Sequence, residues 1–144
     1  FAVRRRLAAS SSSSLVREFI LMGQLEPPDL WVVQVLRAAG GWVAAEKIAA
    51  VLCAVKLHYP VPGVRFELSS GAVRSPEVEE ALRRLAEQGL VEESEGAYRL
   101  TKRGNKLAEK ALPRSVWTLP YADVVFYLKW DSGRLAEHVR PRTS

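Results

Sequence analysis

Asparagine and glutamine together number four in 144 residues, histidine occurs twice, and cysteine once. With Cys53 alone, no intrachain disulfide can form and no cysteine metal cluster can assemble. His58 and His138 lie far apart in sequence, so bound zinc or iron is not expected and no cofactor is implied. Long apolar runs are missing too. The longest, IAAVLCAV at 48–55, falls far short of the ~20 residues that span a bilayer, and no membrane partner is expected. There is no paired carboxylate with a histidine, no glycine-rich phosphate loop and no nucleophile motif, so the reading is non-enzymatic. The serine run 10–14 is low complexity rather than a nucleophile. The segment FAVRRRLAASSSSSL lacks the apolar stretch of a secretory signal. Its Arg- and Ser-rich, acid-poor composition has a transit-peptide flavour, and the simpler reading is a loose basic arm. A cytoplasmic, intracellular location is expected.

What is present describes an ordinary globular chain. With 48% hydrophobic and 26% charged residues, and a length at which a domain buries ~70% of its unfolded surface, one core is expected. Arginine outnumbers lysine by 15 to 6, which fits a thermophile and equally a GC-rich genome. The net charge of +5 suits a polyanion partner, and its distribution is uneven. Residues 76–100 carry −4, whereas 101–115 carry +4. The basic excess flanks the middle segment rather than filling it.

Periodicity and breakers predict helices over 15–22, from about 30 to the Gly40–Gly41 stop with Asp29 as cap, over 44–59, and over 76–88. In the helix from 30, Leu30, Val33 and Leu36 form one apolar row and Val32, Val35 and Ala39 the alternative. The helix from 76 starts at Ser75-Pro76, a cap followed by proline at the first helical position, and points Val78, Leu82, Leu85 and Ala86 inward. Between the last two helices, Val64, Phe66 and Leu68 alternate with charged residues, as in a short half-buried strand or extended loop. LVEE and AYRL flank a Ser-Glu-Gly corner as a hairpin, and Thr101 opens a further helix that Pro113 stops. Beyond it, an aromatic stretch at 119–130 and a closing helix with Leu135 and Val139 inward complete the chain. This divides the protein into a basic arm (1–27), a core domain (28–112) and a C-terminal extension (113–144). The class is α+β: three core helices, a two-stranded hairpin and a further helix, with helical extensions at both ends.

EEALRRLAEQGLV followed by AYRLTKRGNKLAE resembles the winged helix-turn-helix regulators of the MarR and PadR kinds. The residues that carry the resemblance are Leu82, Leu85, Gly89, Leu90, Val91, Leu100, Thr101 and Gly104. It covers about 28–112 and implies a winged-helix fold, double-stranded DNA as partner and a role in transcription regulation. MarR-like proteins dimerise through helices outside the wing domain, so the two terminal segments become candidates for a homodimer contact. Small basic proteins of this kind are common in archaea and their viruses. The segment before the third core helix also resembles the Panacea-type antitoxin domains in its Ser-Pro-Glu start, without their Tyr-Gly-Pro.

Three features depart from a standard DNA reader. Residues 59–75 replace the short turn of a helix-turn-helix. The hairpin corner, Glu92-Glu93-Ser94-Glu95-Gly96, is acidic and would repel phosphate. The third helix opens with Glu77, Glu79 and Glu80. Candidate DNA-binding residues are therefore Ser75, Arg83 and Arg84 at the third helix, with Arg83 and Arg84 on its outer face, and the stripe Lys102, Arg103, Lys106 and Lys110. Arg74 and Arg99 could extend that surface. Glu79 and Glu80 lie four residues before Arg83 and Arg84, so a salt-bridged solvated face is the competing account. The alternative function is a protein-interaction module without DNA binding, in which the acidic face of 77–95 meets a basic partner. The aromatic stretch is expected to pack on Leu15, Val16, Phe19 and Ile20 of the arm, or on a second copy.

Overall fold

The computed structural model describes residues 27–69, 71–111 and 118–143. Residues 1–26 of the basic arm, with its expected helix at 15–22, and Pro113, Arg114 and Trp117 lie outside the described residues. Among the described residues the chain is α+β, with six helices and two small antiparallel sheets. In order they are α1 (Pro27–Ala39), β1 (Val43–Ala44), α2 (Ala45–Lys56), β2 (Glu67–Ser69), β3 (Ala72–Arg74), α3 (Pro76–Glu87), β4 (Val91–Ser94), β5 (Ala97–Leu100), α4 (Lys102–Ala111), α5 (Tyr121–Leu128) and α6 (Ser132–Thr143).

Helix α1 is already helical at Pro27, so Asp29 is not its cap but its third residue, 2% exposed and turned toward α3. Both apolar rows of α1 are buried, Ala39 apart, because α3 packs on one side and α2 and α5 on others. Gly40 closes it with φ 69°, its N–H donating to the Leu36 carbonyl at 3.0 Å, the left-handed stop that glycine takes at little cost. Helix α2 is shorter than its apolar pattern. Every residue from Ile48 to Val55 is buried, since α1, α3, α5, α6 and β3 enclose it. Cys53 lies in that core, and desolvation pushes its thiol up to about 11 against the small opposing pull of Lys56. It stays protonated and unreactive.

Two strands are additions to the expected order. Residues 43–44, assigned in part to the following helix by pattern alone, instead pair with the second hairpin strand, Val43 opposite Tyr98 and Ala44 opposite Ala97. The segment expected to hold a single strand forms a second hairpin, with Leu68 opposite Val73. Val73 is buried against α2 and α6, whereas Phe66 and Leu68 are only half-buried.

Helix α3 begins as expected. The Val78 N–H donates to Ser75 Oγ at 3.4 Å and Pro76 occupies the first helical position. Val78, Ala81, Leu82 and Leu85 are buried, and Ala86, expected inward, is exposed; the inward row follows the i, i+3, i+4, i+7 rule. Each of its leucines contributes roughly 1.5–3 kcal/mol by leaving water. The β4–β5 hairpin turns on Glu95 (φ 51°) and Gly96 (φ 82°), the two consecutive positive φ values of a tight primed turn. Leu90 and Leu100 are buried on either side of it. Thr101 then caps α4, accepting from the Gly104 N–H at 3.1 Å while its hydroxyl donates to the Gly89 carbonyl at 2.8 Å. A Cβ at Gly104 would stand 2.1 Å from the Leu90 carbonyl oxygen. Only glycine allows that approach.

Helices α5 and α6 cover α2, burying Val124, Tyr127, Leu135, Ala136 and Val139. The aromatic stretch packs within this corner: Tyr127 lies 5.4 Å from Trp130 and 5.8 Å from His138, and His58 approaches Tyr127 at 6.2 Å. His58 also pairs with Asp123 at 3.0 Å. The two histidines, 80 residues apart, thus flank one tyrosine. Tyr121 and Phe126 remain exposed. Among the described residues, no helix is long and apolar enough to cross a membrane.

Candidate nucleic-acid interface

The nine candidate residues separate into two groups according to what their side chains already hold. Ser75 is fully buried and spent on capping α3, its hydroxyl turned toward Glu77 at 3.3 Å. Arg74 pairs with Glu79 at 3.0 Å. Arg83 lies between two carboxylates of its own helix, Glu80 and Glu87, the latter at 2.8 Å. Its partners differ from those expected from spacing: Glu79 turns to Arg74, and Glu80 reaches both Arg83 and, at 3.8 Å, Arg84.

Arg84 corrects the expectation most. Rather than facing outward, it is two-thirds buried and its Nη2 donates to Asp29 Oδ1 of α1 at 2.5 Å. An aspartate nearly excluded from water needs a cation beside it, so Arg84 serves the α1–α3 contact. Arg99, on the outer side of the hairpin, pairs with Glu92 directly across the strands and stacks its guanidinium 4.4 Å above the Trp42 ring.

These pairs leave a mark on the carboxyls. The hydrogen bond from Arg83 holds Glu80 below the usual carboxylate range, helped by the charges of Arg83 and Arg84. At Glu77 desolvation pushes upward, but the Arg65 backbone N–H and guanidinium together outweigh it and the carboxyl is lowered.

Helix α4 is built differently. Gly104, Leu107 and Ala108 face the core, while Lys102, Arg103, Lys106 and Lys110 are exposed. Among the described residues none of the four has a carboxylate within ion-pair distance. Arg103 donates instead to the Gln88 carbonyl at 3.3 Å, which fixes the start of α4 against the end of α3. The stripe carries a local cost. Lys102 and Arg103 sit in a first turn without any acid, at the positive end of the helix dipole, and Lys102–Lys106–Lys110 repel at i,i+4 spacing. Arg37, not among the candidates, joins this region through its 3.4 Å bond to the Asn105 carbonyl. A contact across 68 residues leaves no local sequence signal.

The structure therefore brings Lys102, Lys106 and Lys110 onto one outer helix face, with Arg103 and Arg37 at its flanks. It diverts Arg74, Arg83, Arg84 and Arg99 into ion pairs. No family model, curated protein or solved structure matches the chain.

Proposed function

We propose that the chain is a non-enzymatic winged-helix module that binds duplex DNA through its phosphate backbone, with α4 as the contact. The fold reading is supported by the order helix, strand, helix, hairpin, helix, hairpin, helix, and by β1 joining the second of these hairpins, β4–β5, as a third strand. The binding reading rests on one observation: the four cations of α4 are exposed and carry no carboxylate partner among the described residues, in a helix that is locally destabilised by them. From Lys102 to Lys110 the stripe rises ~12 Å, the length of three to four base-pair steps. That is enough for two or three phosphates. Base reading by α3 has no comparable support, because its outward charges are already satisfied within the protein.

Such contacts are sequence-independent and salt-sensitive, with log K falling by ~0.9 per phosphate for each tenfold rise in salt. Affinity for a random duplex, measured at ~50 and ~200 mM salt, should give a slope near −2 to −3. Lys102→Glu with Lys106→Glu should flatten that slope. Absence of binding by the wild-type chain at low salt would refute the reading.

A further inference from the structure

Between the β2–β3 hairpin and the β4–β5 hairpin lies a cleft of about 680 Å³, a size at which proteins take up ligands and partner segments. Its floor is short and apolar, with Ala49 of α2 and Val78 and Leu82 of α3. Glu46, Glu79 and Tyr98 stand around it with Arg74, and the positive charge of Arg74 is committed to Glu79. Glu46 is exposed and has no ion pair among the described residues, and neither have Glu93 and Glu95 farther along the hairpin. The Tyr98 phenol registers this field. Desolvation raises it first, and the carboxylates of Glu93 and Glu79 raise it further.

We propose that this cleft docks an arginine-bearing segment of a protein partner. A guanidinium can donate two parallel hydrogen bonds to the Glu46 carboxylate, lay its plane on the Tyr98 ring, and run its aliphatic stem over Ala49, Val78 and Leu82. The volume exceeds one side chain, and the acidic surface continues past the rim to Glu93 and Glu95, so a chain segment fits better than a lone cation. The sign of the site is opposite to that of α4, and the inference stands whether or not α4 binds phosphate.

The test uses the full chain and a fluorescein-labelled peptide of alternating arginine and glycine, read by anisotropy. Binding is expected for this peptide and not for its glutamine analogue. Glu46→Lys and Ser69→Arg, at exposed positions lining the cleft, should each weaken it at least about tenfold, the first by reversing the anchor and the second by placing a cation of the chain's own there. Both variants are checked for unchanged circular dichroism. Lys102→Glu with Lys106→Glu should retain binding, which separates this site from the phosphate-binding stripe. A loss from Glu95→Lys as large as from Glu46→Lys would show diffuse attraction and overturn the cleft. Displacement of the peptide by equimolar spermine would assign the cleft to small polycations and overturn the protein partner.

Discussion

Helices α3 and α4 flank one hairpin, the start of α4 held against the end of α3, and both carry cations: Arg83 and Arg84 on one turn of α3, and Lys102, Arg103, Lys106 and Lys110 along α4. On α3 each cation is answered: Arg83 by Glu80 and Glu87, Arg84 by Asp29. On α4 none of the four meets a carboxylate among the described residues. A basic residue on a helix is thus no measure of affinity for phosphate. What counts is whether its charge is already spent, and here the helix that the resemblance marks for reading bases has spent its own.

The comparison breaks most completely if the junction between the two helices is lost. Gly104→Val should cost about 4 kcal/mol or prevent folding, since its side chain would collide with the Leu90 carbonyl; urea unfolding measures it. Next comes the division of labour itself. Lys102→Glu with Lys106→Glu should weaken duplex binding about a hundredfold at low salt, whereas Arg83→Gln should change it less than about threefold. Equal losses would erase the distinction between the helices. Asp29→Asn should lower stability by about 2 kcal/mol, because Arg84 loses the charge that justifies its burial. Ser75→Ala, which removes the cap of α3, should cost about 1 kcal/mol by thermal unfolding.

The smallest effect is in acid. Glu77 and Glu80 are held below their ordinary value in the folded chain, so the unfolded chain takes up protons first as pH falls. Their stabilisation is present above the unfolded carboxyl range and is lost as pH drops through the lowered folded values. Replacing Glu80 by Gln should reduce the acid sensitivity of unfolding while leaving duplex binding unchanged.

Features resting on local chemistry were legible from the residues. Ser75-Pro76 opened α3, Thr101 capped α4 and Glu95-Gly96 turned the hairpin, because caps and tight turns are set by a few neighbouring dihedrals and side chains. The two-residue strand β1 was not legible. It exists only by pairing with β5, more than fifty residues on. Likewise β3 became a strand through β2, and its Val73 found burial against α2 and the C-terminal α6. The nine candidate residues were read from one-dimensional spacing, which names neighbours at i+3 and i+4 but not partners on other helices. That is why Arg84 was placed outside and Arg37 missed.

The sequence by itself determined helices α1 to α4 and α6 and the β4–β5 hairpin, the acidic middle and the basic segment after it. These follow from periodicity, capping and composition, which act within a few residues. Tertiary structure decided which charges remain available. Asp29 neutralises Arg84 across 55 residues, Glu92 meets Arg99 across the hairpin, and the outer face of α4 is left with its cations in water. The reason is electrostatic. Burial makes an unpaired charge costly, so the core claims its counter-ions first, and only the remaining charges are offered to a partner.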